Sequence, residues 1–110
     1  MSGIIFYKTD SYKIIDEFYR KRIGMEVWLK QTGCTIYKHD NMLLGFCDRG
    51  IADKCGIITF FYKTRNEVDD MYEKLKEISS GPPKDNPDYN IYHFWAEDPE
   101  GRILEFQVFL

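Results

Sequence analysis

The sequence predicts an α+β domain built from two successive βαβββ units, and three observations carry that prediction. Phe6-Tyr7-Lys8-Thr9 recurs as Phe61-Tyr62-Lys63-Thr64, half a chain length away in 110 residues. Each copy follows an apolar, β-branched run and leads into a pattern with helical spacing. Each helical pattern is then followed by short strand-like runs divided by turn residues.

The first strand runs through Ile4-Ile5 into the tetrapeptide, and its counterpart through Ile57-Ile58-Thr59. In the first helix Ile14, Ile15, Phe18, Tyr19 and Arg22 share a face. In the second, Val68, Met71, Tyr72, Leu75 and Ile78 follow the i, i+3, i+4, i+7 rule. Ser11 or Asp10 can cap the first helix, and Thr64 with Glu67 reads as a capping box. Gly24 stops the first helix; Ser79-Ser80-Gly81-Pro82-Pro83 stops the second. Strands are then expected at Met25–Lys30, Cys34–Lys38 and Met42–Cys47, with turns at Gln31-Thr32-Gly33 and His39-Asp40-Asn41. Asp48–Lys54 reads as the linker. In the second half Tyr89–Glu97 and Arg102–Leu110 flank Asp98-Pro99-Glu100-Gly101, which has type I turn chemistry. A third strand must lie within Gly81–Asp88, short and at an edge because of its prolines. Leu44-Gly45-Phe46 matches Leu104-Glu105-Phe106, so the two halves end alike. The expected organisation is one domain over 1–110, with repeat one at about 1–50 and repeat two at about 55–110.

Composition bounds the function. A net charge of −3 gives no global field for nucleic acid. No apolar run is long enough to cross a membrane as a helix. The start lacks a signal peptide's charged and apolar regions, so a cytoplasmic location is the default expectation. Cys34, Cys47 and Cys55 are odd in number and form no CxxC or CxxH pair. They are expected to be reduced packing residues, not a disulfide framework or a structural zinc site.

Phe18-Tyr19-Arg20-Lys21-Arg22-Ile23-Gly24-Met25 and Glu97-Asp98-Pro99-Glu100-Gly101-Arg102-Ile103-Leu104-Glu105-Phe106 carry a resemblance to a known family. They match the patterns FYxxxLGM and DPxGxxxEF of the vicinal oxygen chelate superfamily. That group includes glyoxalase I, extradiol dioxygenases and bleomycin-resistance proteins. The resemblance covers essentially the whole chain. It implies a curved mixed sheet with helices on its convex side and a concave ligand pocket, the glyoxalase/bleomycin-resistance fold. It also implies four metal ligands in the metal-dependent members, usually His, Glu, His and Glu. Only the fourth is kept here, as Glu105. The other positions read Ile4 (or Ser2 after a two-residue slip), Gly45 and Ile57. Isoleucine and glycine side chains cannot hold a metal.

Glu105 then has two readings: a charged residue at an edge or dimer seam, or a pocket acceptor for a ligand's NH or OH. Its strand alternates Ile103, Glu105, Gln107 against Leu104, Phe106, Val108, Leu110, and the apolar face should meet the helices. His93 shares a face with Trp95 and Ile91; it reads either as a satisfied, half-buried histidine or as a pocket residue. Glu105 and His93 are the only metal candidates, and weak ones. Phe6, Phe61 and Trp95 would make the pocket apolar and suited to stacking. Cys47 faces the same pocket, while His39 falls in a turn and is expected to be solvated. With Thr59 and Ile103, these residues complete the expected ligand-binding set of Phe6, Cys47, Thr59, Phe61, His93, Trp95, Ile103 and Glu105. No catalytic residue is assigned. The expectation is a homodimer that binds a small, partly aromatic molecule and needs no cofactor. The alternatives are a lyase or transferase using a divalent metal, and a regulatory module with a vestigial pocket.

Overall fold

The alternation of strand-forming runs and helical stripes appears as two β-α-β-β-β units in the computed structural model, which describes residues 1–110. Contacts within the chain divide it into unit one, Met1–Lys54, and unit two, Cys55–Leu110.

In unit one, β1 (Ile5–Thr9), β2 (Glu26–Gln31), β3 (Cys34–His39) and β4 (Met42–Asp48) form a mixed sheet in the order β1-β4-β3-β2. β1 lies parallel to β4, with Phe6 opposite Gly45. α1 (Tyr12–Glu17) continues as a π-helical segment, Phe18–Ile23. The buried stripe is Ile15, Phe18, Tyr19 and Ile23, while Ile14 faces solvent, one position off the expected face. Ser11 occupies the N-cap without a side-chain capping bond; its own N–H donates to Thr9 Oγ1. Gly24 ends the helix at φ 88°, and Met25 N–H closes back onto Tyr19 C=O at 2.9 Å. Tyr19 packs on Phe46, ring centres 4.7 Å apart, at the middle of this unit's core. The expected linker is tied to the unit: Asp53 Oδ1 accepts from Lys8 N–H at 3.0 Å, and Arg49 N–H donates to Thr9 C=O.

In unit two, β5 (Ile57–Tyr62), β6 (Lys84–Asn86), β7 (Ile91–Glu97) and β8 (Ile103–Phe109) repeat the order as β5-β8-β7-β6. The short strand inside the proline-rich stretch is indeed an edge. α2 (Arg65–Leu75) buries Val68, Met71 and Leu75 and packs on β5, β7 and β8. Thr64 Oγ1 accepts from Glu67 N–H at 3.2 Å, and Glu67 returns to the N–H of Lys63, one residue before the usual capping-box partner. Phe60, Phe106 and Phe94 lie side by side on β5, β8 and β7, and their stacked rings fill the helix-facing side. Leu104, Phe106 and Val108 are buried on that face as the alternation requires.

Two sequence expectations need correction. Cys34 and Cys47, directly opposite on β3 and β4, are joined as a disulfide. Two cysteines far from any CxxC spacing become neighbours once the hairpin register is set. Cys55 stays outside the disulfide and is exposed. His39 is the last residue of β3 and half-buried, not a solvated turn residue. Burial holds its pKa below the ordinary 6.5, against a smaller opposing pull from Asp40.

The Asp98 turn is a buried electrostatic unit. Gly101 N–H closes it onto Asp98 C=O at 2.9 Å, and Asp98 Oδ1 accepts from the N–H groups of Glu100 and Arg102. Arg102, 1% exposed, donates to Asp98 Oδ2 at 3.0 Å and Glu100 Oε1 at 2.8 Å. Removing the cation would leave the buried carboxyl groups of Asp98 and Glu100 without their shared counter-ion, so Arg102→Ala should cost about 3–5 kcal/mol in denaturant unfolding. For His39, the unfolded chain holds the proton more tightly than the folded one. Its contribution to stability is therefore complete above 6.5 and is lost as pH falls through that value towards the folded pKa. Proton NMR should place the His39 midpoint below 6.5, and His39→Gln should flatten this part of the acid unfolding curve.

Candidate functional site

The helix-facing side of unit two's sheet is apolar apart from the hydroxyls of Tyr62 and Tyr92, the latter donating to Asp69 of α2, whereas the other side carries a polar cluster. Along β8 the open face carries Ile103, Glu105, Gln107 and Phe109. Register places Thr59 of β5 and Trp95 of β7 on either side of Glu105, and His93 opposite Gln107. Glu105 is 9% exposed and on an inner strand, so its carboxyl group needs donors. It has them. Thr59 Oγ1 donates to Oε1 at 2.9 Å, and His93 Nδ1 lies 2.7 Å from Oε2. In the amide orientation that satisfies the network, Gln107 also donates to both oxygens, at 3.0 and 3.2 Å. Where Glu105 is the carboxylate, which only accepts, Nδ1–H is the donor of this bond. The other ring nitrogen, Nε2, makes no hydrogen bond within the chain.

This cluster lies in a recess of about 320 Å³ walled by Tyr89, Ile91, Trp95 and Phe109, with Asn86 at its polar side. Trp95 meets the His93 ring edge-on at 5.4 Å. It also walls a second recess of about 560 Å³, formed with Ile57, Ile78, Ser79, Ser80, Glu97 and Ile103. Of the expected set, Thr59, His93, Trp95 and Glu105 therefore come together, and Ile103 lines the adjoining recess. Phe61 is exposed and packs edge-on against Phe109 at 5.5 Å. Phe6 and Cys47 line a different recess, in unit one. Gln107, Tyr89 and Phe109 were missed. The i, i+2 alternation from Glu105 marks Gln107 and Phe109 as sharing its face, but nothing in the sequence distinguishes Tyr89.

The positions that the family resemblance gives to metal ligands can now be judged. Ile57 is exposed on the open face of β5. Gly45, on β4, is covered: a Cβ there would meet the Phe6 ring at 2.5 Å. Glu105 and His93 are joined by no third His, Cys, Asp or Glu in a group able to hold a metal ion. The residues present do not fit a catalytic divalent ion.

Unit one shows what the same scaffold becomes without the carboxylate. Aligning β4 with β8 through Gly45 and Glu105 makes Phe6 the counterpart of Thr59, Cys34 of His93 and Cys47 of Gln107. The identical tetrapeptides are thus displaced by two residues, and the same register makes Ile4, not Ser2, the counterpart of Ile57. A two-residue displacement preserves the face.

No family model and no characterised protein matches the chain in sequence. Solved structures do match in shape. A glyoxalase/bleomycin resistance protein/dioxygenase from Nocardioides has 19% identity and a TM-score of 0.78, covering 100% of this chain and 83% of that one. Lactoylglutathione lyase from Agrobacterium tumefaciens has 21% identity and a TM-score of 0.78, covering 98% and 92%. A glyoxalase/bleomycin resistance protein/dioxygenase family enzyme from Burkholderia phytofirmans PsJN has 14% identity and a TM-score of 0.82, covering 97% of each. The chain therefore has the glyoxalase/bleomycin-resistance fold, that of the superfamily its sequence resembles.

The Phe6 ring over Gly45 makes a testable pair. Gly45→Ala should displace the ring and cost about 1 kcal/mol. In the Phe6→Ala background the same change should cost almost nothing, a coupling readable by a double-mutant cycle.

Proposed function

We propose that this protein binds a small, partly aromatic organic molecule at the Glu105 cluster of unit two, without a catalytic metal. The observation that carries the reading is the buried Glu105–His93–Thr59 cluster opening into a recess walled by Trp95, Tyr89 and Phe109. A few fixed polar groups set in an apolar, aromatic wall are the usual composition of a small-molecule site. Glu105 would accept from a ligand NH or OH, His93 Nε2 offers a second polar contact, and Trp95 a stacking surface. Sequestration, as in the bleomycin-resistance proteins of this fold, asks nothing more of the site.

A lyase reading draws on the Agrobacterium neighbour. It would need a Lewis acid to polarise substrate oxygens, and the donor set at Glu105 speaks against one. A vestigial regulatory pocket is the third reading, and the intact polar network speaks against that. The proposal includes a symmetric homodimer. Its support is the row of exposed apolar residues on the edge strand β2, Val27, Trp28 and Leu29.

A thermal-shift screen of ring-bearing amines and phenols should find stabilising ligands. Glu105→Gln should keep the fold and weaken the best of them about tenfold, near 1.4 kcal/mol, by calorimetry. Protein purified without chelator should carry no stoichiometric Zn, Ni, Mn or Fe. A stoichiometric metal that is lost in Glu105→Gln would overturn the binder reading in favour of the enzyme. A screen without hits would favour the vestigial pocket.

A further inference from the structure

The positions that hold His93 and Gln107 in unit two hold a disulfide in unit one. We propose that Cys34 and Cys47 form a reversible dithiol–disulfide site, open to exchange with small-molecule thiols of the glutathione class and assisted by Arg49.

Three observations support this, and none depends on the ligand-binding reading. First, the hairpin carries its own hydrogen-bond ladder around the bond. The two cysteines are only 13 residues apart, on neighbouring strands of one hairpin. Their register runs unbroken from Cys34–Cys47 to His39–Met42, and Asp48 N–H continues the ladder beyond the disulfide to Gly33 C=O at 2.8 Å. A disulfide acts mainly on the unfolded chain, and so short a loop contributes about 3 kcal/mol; the backbone ladder on both sides does not pass through the sulfurs, so the sheet is expected to outlast reduction. Second, although each cysteine is only 9% exposed, the pair borders a recess. It measures about 390 Å³ and lies on the open face of unit one's sheet, beside Phe6, Lys8 and Gln31. Third, a cation stands at one sulfur. The Arg49 guanidinium lies 3.9 Å from Cys34 Sγ and is anchored by a bond to the Asp48 carbonyl.

These features assign the roles. A glutathione thiolate attacks Cys47 Sγ, forming a mixed disulfide as the Cys34–Cys47 bond breaks. The electron pair leaves on Cys34 Sγ, where Arg49 stabilises the thiolate; a better-stabilised leaving thiolate departs faster. A second glutathione thiolate then attacks the glutathione sulfur of the mixed disulfide and releases Cys47 as a thiolate. Two glutathione thiols are oxidised to one glutathione disulfide, and the protein disulfide is reduced to two thiols that take protons from solvent. The reverse sequence closes the pair.

The test uses the full chain carrying Cys55→Ser, which removes the third thiol. Millimolar reduced glutathione in native buffer should convert the protein to a dithiol, read by alkylation and mass spectrometry. Excess oxidised glutathione should restore the bond, with the circular dichroism spectrum unchanged throughout. In Cys34→Ser the remaining Cys47 should capture glutathione as a mixed disulfide. Arg49→Ala should slow reduction about threefold or more, Arg49→Lys should restore most of the rate, and added salt should blunt the difference. A bond that opens only in denaturant would overturn the proposal in favour of a permanent staple. Thiols that never close under oxidised glutathione would overturn it as well. Equal rates in the Arg49 variants would overturn the part assigned to Arg49.

Discussion

Burying a carboxyl group in the middle of an apolar sheet is the constraint on which unit two is organised. Glu105 lies on an inner strand, so water cannot satisfy it from the side, and a buried charge without donors is strongly unfavourable. Its donors come from three strands: Thr59 on β5, His93 on β7 and Gln107 on its own strand. All lie on the face turned away from α2. The opposite face is left to Phe60, Phe94 and Phe106, whose stacked rings fix the spacing of the same three strands. The aromatic core and the polar cluster are thus two sides of one ladder, and the geometry of one is held by the packing of the other.

Unit one shows the same dependence from the opposite direction. With Gly45 in place of the carboxylate there is nothing to satisfy, and the surrounding positions have changed together. The threonine position holds Phe6, whose ring occupies the space a side chain at 45 would use. The histidine and glutamine positions hold Cys34 and Cys47, bonded to each other. A hydrogen-bonded set has been exchanged for an apolar ring and a covalent pair, and both exchanges fill the open face without a buried charge.

Much of this could be read in the sequence, because strand alternation and helical periodicity are local. They located all eight strands, both helices and the face on which Glu105 lies. Register is not local, and the main errors trace to it. The identical tetrapeptides alone suggest pairing Phe6 with Phe61, whereas the placing of Ile4 with Ile57 already implies the register seen, Phe6 with Thr59. The disulfide escaped because cysteine spacing says nothing until the turn between β3 and β4 fixes which residues face each other. His39 was placed in the turn that it only borders. Glu105 was found through the family pattern, whereas Tyr89 stands outside any strand and reaches the recess only through the fold.

The arrangement around Glu105 also bears on what it would select on the proposed reading. Both carboxylate oxygens already accept hydrogen bonds, and a carboxylate offers about four acceptor directions in all. Thr59, His93 and the two Gln107 contacts fill these directions, so on the proposed reading a ligand NH or OH replaces one of the two contacts made by Gln107. A bare dication would compete with the same donors for these lone pairs and would find in this chain no group of three His, Cys, Asp or Glu to hold it. The three donors that make Glu105 tolerable in the sheet therefore also bias it towards hydrogen-bonding organic molecules. A ring on the same ligand could rest against Trp95, which walls both this recess and the larger one beside it. Selectivity would then follow from the same hydrogen bonds that let the carboxyl group be buried at all.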